Sequence, residues 1–252
     1  MIKIGINGAS GRMGQEIIQI IMNEPDNYVL AFAKSMTNNN NYVVSCVEFP
    51  SSPDVDVVID FSSPESCIET LGWCQQYNIP LVIGTTGFTP EQLQNIRDAS
   101  AKLAVVLSPN MSLSVNVLFA ISRLVAKYLP QADVEIVETH HRYKKDSPSG
   151  TALKIGEAIA EGRGVLLSDV ANYSRPRVAT ETRPANEIGF AVMRGGDVVG
   201  KHTASFFIDG EELNLTSEIT NRKSFAAGAI VAAKFLLDKK IGLFTMNDVL
   251  GI

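Results

Sequence analysis

Ile2-Lys-Ile-Gly-Ile6 runs into Asn7-Gly-Ala-Ser-Gly-Arg-Met-Gly14, and Gln15 to Met22 follows with apolar residues at helical spacing. A short apolar strand, a glycine loop and a helix form the arrangement that cradles a pyrophosphate. The glycines permit the tight turn and the close approach of backbone, and the helix N-terminus faces the negative charge. The spacing Gly8, Gly11, Gly14 is one residue longer than the common dinucleotide fingerprint. A glycine-rich turn with no ligand is the plain alternative, and the strand-to-helix context favours the loop that binds.

Working outward, Tyr28 to Ala33, Val55 to Asp60, Pro80 to Ile83 and Ala104 to Leu107 read as further strands, with helical patterns from Pro64 to Tyr77 and Pro90 to Ala101. Such alternation predicts an α/β fold, a Rossmann-like doubly wound parallel sheet that binds ligands at the carboxyl ends of its strands. Those ends are Phe61-Ser62-Ser63, Gly84-Thr85-Thr86-Gly87 and Ser108-Pro109-Asn110-Met111. Each alone is explicable as a turn, but three along one edge suit a cofactor. At the end of the second strand an acid would bind a ribose 2′-hydroxyl and a cation would accept a 2′-phosphate. The sequence there is Ala33-Lys34-Ser35-Met36, so NADPH is favoured, NADH stays possible, and a solvated surface lysine is the alternative for Lys34. Asn38 to Asn41 reads as a polar loop.

After Asn110 the pattern changes. Ser114 to Tyr128 has helical spacing and Ala132 to Glu138 alternates like a strand; Gly162 to Asn186, with Arg175-Pro-Arg177, is irregular. Ile188 to Met193, Val198 to Ile208 and Glu211 to Ile219 are strand-like, and the turns Arg194-Gly-Gly-Asp197 and Asp209-Gly210 between them suggest hairpins. A second α+β domain with a mainly antiparallel sheet is expected. Phe225 to Asp238 reads as helix, and the tail from Gly242 has no core of its own. The expected division is a dinucleotide-binding domain of residues 1–111 completed by 221–252, with a substrate-binding and oligomerisation domain of residues 112–220.

The densest chemistry lies in Glu138-Thr-His-His-Arg-Tyr-Lys-Lys-Asp-Ser-Pro-Ser-Gly-Thr151. It reads as a loop between strand and helix. Two of the three histidines stand here beside Arg142, Lys144 and Lys145, in a chain of net charge −5. Cations so concentrated in an acidic protein suggest an anionic small molecule, not nucleic acid. Ser149 or Thr151 would cap the following helix, and its free amides and dipole favour a carboxylate or phosphate. Histidine titrates near neutrality, so His140 or His141 could deliver a proton, with a lysine four residues on holding charge or assisting. A solvated basic loop is the alternative.

The whole chain sets bounds. Its 252 residues suffice for one large or two modest domains, and 45% hydrophobic and 19% charged residues are ordinary for a globular protein. No apolar run approaches the ~20 residues of a membrane span. No signal peptide is read at the N-terminus, and Cys46, Cys67 and Cys74 lack metal-ligand spacing, so a reduced cytoplasmic setting is expected, with Cys67 and Cys74 as small buried hydrophobes of a helix.

Asn7 to Gly14, Gly84-Thr-Thr-Gly87, Ser108-Pro-Asn-Met111, Glu138 to Lys144, Asp146 to Ala152, Ile188-Gly-Phe190 and Gly242 to Leu250 together resemble the 4-hydroxy-tetrahydrodipicolinate reductases, also called dihydrodipicolinate reductases. The resemblance implies nicotinamide-dependent reduction of a small cyclic dicarboxylate in the diaminopimelate route to lysine. It implies His140 as proton donor, Lys144 as second donor or charge partner, and His141, Gly150 and Thr151 on the substrate carboxylates. The cofactor residues it implies are Gly8, Ala9, Ser10, Gly11, Arg12 and Met13, then Gly84, Thr85 and Thr86, then Ser108, Pro109, Asn110 and Met111, with Arg12 near the phosphates. A homotetramer associating through the second domain's sheet is also implied. The segment between Lys34 and Val55 is shorter than in many relatives and lacks the acid that several place at the adenosine ribose; Tyr143 stands where another histidine is common. Two rival readings remain: a semialdehyde dehydrogenase, which needs a nucleophilic cysteine, and a nucleotide-binding module without catalysis, which leaves His140 and Lys144 without a task.

Overall fold

The computed structural model describes residues 1–36, 44–175 and 182–252; the Asn38 to Asn41 tract and Arg177 lie outside the described residues. The chain divides into two units, residues 1–113 with 222–252 and residues 114–221. The first begins with β1 (Ile2–Asn7), α1 (Arg12–Asn23), β2 (Tyr28–Lys34), β3 (Ser45–Cys46), β4 (Val57–Asp60), α2 (Pro64–Tyr77), β5 (Leu81–Ile83), α3 (Pro90–Ser100) and β6 (Ala104–Leu107). The second holds α4 (Leu113–Tyr128), β7 (Asp133–His140), α5 (Gly150–Arg163), α6 (Leu167–Val170), β8 (Ala171–Asn172), β9 (Ile188–Arg194), β10 (Gly200–Ile208) and β11 (Glu211–Ile219). The chain then returns to the first through α7 (Lys223–Leu236), β12 (Gly242–Phe244) and α8 (Met246–Leu250).

The first sheet has the order β12-β6-β5-β4-β1-β2-β3, and its pairings among the described residues are parallel. From β1 the chain runs one way through β2 and β3, then restarts beside β1 with β4 and proceeds the other way. The crevice outside the ends of β1 and β4 is therefore the topological switch point, where ligands of such sheets sit. Both faces are covered. Ile17, Ile18 and Ile21 of α1 join Ala226, Ala229, Ile230 and Ala233 of α7 on one side; Cys67, Leu71 and Cys74 of α2 join Ile96 and Ala99 of α3 on the other. Prolines set two helix starts as the sequence suggests: Pro64 follows the cap Ser63, and Pro90 follows Thr89, which forms a capping box with Gln92. Helix α1 begins at Arg12, three residues earlier than its apolar pattern, because Gly11 is the N-cap.

The second sheet has the order β11-β10-β7-β9-β8 and is mixed: β10 pairs antiparallel with β11 and β7, while β9 pairs parallel with β7 and β8. The Asp209-Gly210 turn closes a hairpin, with Gly210 at φ +81°. The turn at 194–197 does not. Strands β9 and β10 flank β7 on opposite sides, so that turn passes over the end of the central strand. The stretch expected to be irregular from Gly162 carries the last turn of α5, then α6 and β8. The expected loop from Glu138 is also shorter than read, since β7 continues to His140. Its alternation persists there, with Val134, Ile136, Glu138 and His140 buried on one face. Val134 and Ile136 pack against Ala152, Ile155 and Ile159 of α5; the polar pair occupies the strand's carboxyl end.

Candidate active site

In the first unit the glycine loop is set by close packing. Gly8 has φ +85°, and a Cβ there would lie 2.2 Å from the Phe61 carbonyl oxygen, so the loop can cross the end of β4 only with glycine at this position. The Gly8 and Ala9 amides donate to the Lys34 carbonyl at 3.1 and 3.0 Å. Those two amides are thus committed to the end of β2, and the loop runs on from Ser10 into the first turn of α1. That turn carries no acidic residue, and Gly11 has no side chain with which to cap it, which suits an anion. Lys34 reaches the same neighbourhood by its backbone, and its ammonium lies 4.6 Å from the centroid of Phe49.

A buried carboxylate ties the strand ends together. Asp60 accepts from Asn7 Nδ2 (2.8 Å), the Ser62 amide (3.1 Å) and hydroxyl (2.8 Å), Thr70 Oγ1 (2.8 Å) and Thr85 Oγ1 (2.7 Å). Thr85 is thereby fixed beside Gly84, while Thr86 is exposed. In the third loop Ser108 Oγ donates to the Asn110 carbonyl at 2.8 Å, and Asn110 Oδ1 accepts from the Ser112 amide at 2.9 Å. Pro109 is exposed there. Ala9 and Met111 bury their side chains in the core, so they offer a ligand only backbone. The residues at hand fit a dinucleotide.

In the second unit the cross-strand register builds a cluster. Glu138 stands opposite His202, and His140 opposite Arg194. His140 Nδ1 hydrogen-bonds Glu138 Oε2, while Glu138 Oε1 accepts from Arg194 Nη2 and from the Ser149 amide, both at 2.9 Å. Ser149, not Thr151, is the N-cap of α5: its Oγ accepts from the Ala152 amide at 3.2 Å. That leaves its hydroxyl hydrogen for His202 Nε2, 3.2 Å away. Burial pushes the Glu138 carboxyl up, but the hydrogen bonds from His140, Arg194 and Ser149 outweigh it and bring it down to about 2. Burial pushes His202 down to about 4, helped by the positive charges around it, so its ring is neutral. The rings of His140 and His202 meet edge to face at 5.0 Å.

The loop follows. His141 donates its amide to the Val198 carbonyl at 2.7 Å, and its ring lies beside Tyr143. Lys144 turns back, its amide on the His141 carbonyl at 3.1 Å and its ammonium 2.9 Å from Asp146, whose carboxyl this contact holds below its usual range. Gly150 and Thr151 form the first turn of α5. The structure therefore brings His140, His141, Lys144, Gly150 and Thr151 to one end of β7 and α5. One donor atom each from Glu138, His140 and His202 falls within 4.8 Å of the others. Arg194 and Lys144 surround that cluster with positive charge, which favours an anion over a metal cation.

The family model described as "Dihydrodipicolinate reductase, N-terminus" matches residues 2–111, and "Dihydrodipicolinate reductase, C-terminus" matches residues 114–250. The chain belongs to the dihydrodipicolinate reductase family. The 4-hydroxy-tetrahydrodipicolinate reductase of Nitrosomonas europaea is 43% identical over 265 residues, covering 100% of this chain and 98% of that protein. That of Ralstonia nicotianae is 43% identical, covering 99% and 100%. A dihydrodipicolinate reductase from Paenisporosarcina sp. TG-14, solved with dipicolinate bound, superposes with a TM-score of 0.76 at 29% identity, covering 97% of each chain. A scyllo-inositol dehydrogenase from Lactobacillus casei, at TM-score 0.59 and 12% identity, covering 99% of this chain and 92% of its own, shares the fold alone.

For this dihydrodipicolinate reductase family member, sequence reasoning assigns no role to Asp60, Glu138, Arg194 or His202. The i, i+2 spacing of Glu138 and His140 was available as a signal, because alternate residues of a strand share a face. Asp60 closing the apolar run of β4 was another. Arg194 and His202 join only through strand pairing, which no local pattern reveals.

Proposed function

We propose that this chain reduces 4-hydroxy-tetrahydrodipicolinate to tetrahydrodipicolinate in the diaminopimelate route to lysine, with NADPH favoured as reductant and NADH possible. The observation that carries the reading is the end of β7, where a buried histidine paired with a carboxylate stands beside the capped start of α5. A proton donor and a carboxylate-binding helix terminus are what a cyclic dicarboxylate needs.

A nicotinamide, when bound, would supply hydride to the ring carbon that has lost its hydroxyl. The adjacent ring carbon gains a proton, and His140 delivers it. Lys144 balances the charge or assists, and His141 with Gly150 and Thr151 holds the carboxylates. Gly8 to Met13, with Arg12 at the phosphates, Lys34 at the 2′-phosphate, Gly84 to Thr86 and Ser108 to Met111 hold the cofactor. Residues 1–111 with 221–252 are the dinucleotide-binding domain; residues 112–220 bind substrate and associate into a homotetramer. A cytoplasmic location suits the free cysteines, and no helix among the described residues is long and apolar enough to cross a membrane.

The semialdehyde dehydrogenase reading needs a thiolate. Burial, then the charge of Asp60, pushes the Cys67 and Cys74 thiols up, and burial raises Cys46, so none is activated as a nucleophile. The test is a coupled assay in which the substrate is formed in place from pyruvate and aspartate semialdehyde by the preceding synthase, with NADPH or NADH oxidation followed by absorbance. Enzyme-dependent oxidation is expected, faster with NADPH. Folded protein that binds cofactor but oxidises neither would refute the substrate.

A further inference from the structure

We propose that Glu138 is a positioning residue for proton transfer, fixing the His140 ring through Nδ1 so that Nε2 is the atom that delivers the proton. The proposal rests on the reading of His140 as donor. Glu138 is 1% exposed, and two of its three donors, Arg194 Nη2 and the Ser149 amide, belong to β9 and to the cap of α5. The carboxylate is thus anchored without His140, and the ring orients against it. A neutral imidazole carries one proton on either nitrogen, and a carboxylate partner selects Nδ1 for it.

The other nitrogen faces Gly200: a Cβ at that position would lie 3.1 Å from His140 Nε2, so glycine avoids a side chain crowding that atom. The charged and titratable groups facing His140 are Glu138 on its own strand, Arg194 from β9, His202 from β10, and Lys144, paired with Asp146, from the following loop. Among the described residues, the carboxylate of Glu138 is the one of these groups bonded to the ring. His202, neutral and with its Nε2 turned to Ser149, adds no charge against a protonated His140.

The step balances. Hydride addition leaves an electron pair at the neighbouring substrate carbon; that pair takes the proton from Nε2, a C–H bond forming as the N–H bond breaks. The ring is left neutral with its remaining proton on Nδ1 against Glu138, and water returns the proton to Nε2.

The experiment compares Glu138→Gln, His140→Gln and the double variant of the full chain in the coupled assay across pH. Glu138→Gln is expected to lower kcat roughly 10- to 100-fold, less than loss of the acid itself, and to move the alkaline limb of the pH profile to lower pH with the NADPH KM little changed. In the His140→Gln background it is expected to add less than about twofold, because coupled residues are not additive. A Glu138→Gln enzyme with wild-type rate and profile, beside a slow His140→Gln, overturns the positioning role alone. A fast His140→Gln enzyme overturns the donor reading as well. Should Glu138→Gln not fold, long-range ¹H–¹⁵N spectra of the unsubstituted protein decide, since it has three histidines: Nδ1 of His140 unprotonated at neutral pH refutes the proposal.

Discussion

At the scale of the residue, His202 couples the site to acid stability. Its folded value of about 4 lies below the ordinary 6.5, so between these values the unfolded chain binds the proton more readily. The neutral ring's contribution is full above about pH 6.5 and is lost as pH falls toward 4, by up to ~3 kcal/mol. Glu138 acts in the same direction lower down: its contribution is present above 4.5 and lost as pH falls toward about 2. A His202→Gln variant is therefore expected to lose little denaturant stability between pH 7 and 5, where the parent loses stability steadily. Equal slopes would show that this ring is not the source. For turnover, His140→Gln is expected to cost roughly 10²- to 10⁴-fold, and steady-state kinetics at saturating NADPH checks it. Lys34→Glu is expected to raise the KM for NADPH far more than that for NADH; equal effects would remove Lys34 from the 2′-phosphate. The proximity of His140, His141 and Lys144 was legible because chain neighbours at a strand end stay neighbours after folding. His202 was not, since only the register of β10 against β7 brings it to Glu138.

At the scale of the element, Asp60 shows how strand ends become a surface. Its carboxylate collects donors from the end of β1, from the loops after β4 and β5, and from α2. Asp60→Asn would turn an amide toward groups that already donate, and a loss of about 1–3 kcal/mol in denaturant stability is expected with a raised NADPH KM. A variant with both unchanged would show that the loops hold without it. Strand and helix identity in the first unit was legible because buried parallel strands are continuous apolar runs and prolines mark the helix starts. The second sheet was harder: a four-residue turn between two strand-like runs looks like a hairpin whether or not a third strand lies between them. What placed β7 there was the crossover through α5, a long-range packing event without a local signature.

At the scale of the molecule, one face of the second sheet packs against α4 and α5, and the opposite face is mostly polar among the described residues. That face carries Glu135, Val137, Ser205 and Phe207 around a concavity of about 530 Å³, with Arg175 bonded to Glu135 and Glu187 and Arg183 to Asp133. Light scattering after size exclusion is expected to give about four times the 27.3 kDa chain; a monomer would refute the proposed tetramer. The interrupted first unit has a consequence for the order of assembly. Helix α7 covers one face of the first sheet with Ala226, Ala229, Ile230 and Ala233, and β12 adds its outer strand beside β6. On a ribosome, residues 1–113 emerge with α1 on that face but without α7, and the share that α7 covers waits while all of residues 114–221 are made. The middle unit, continuous in the chain, can settle first; the glycine-loop unit must wait for its own last helix.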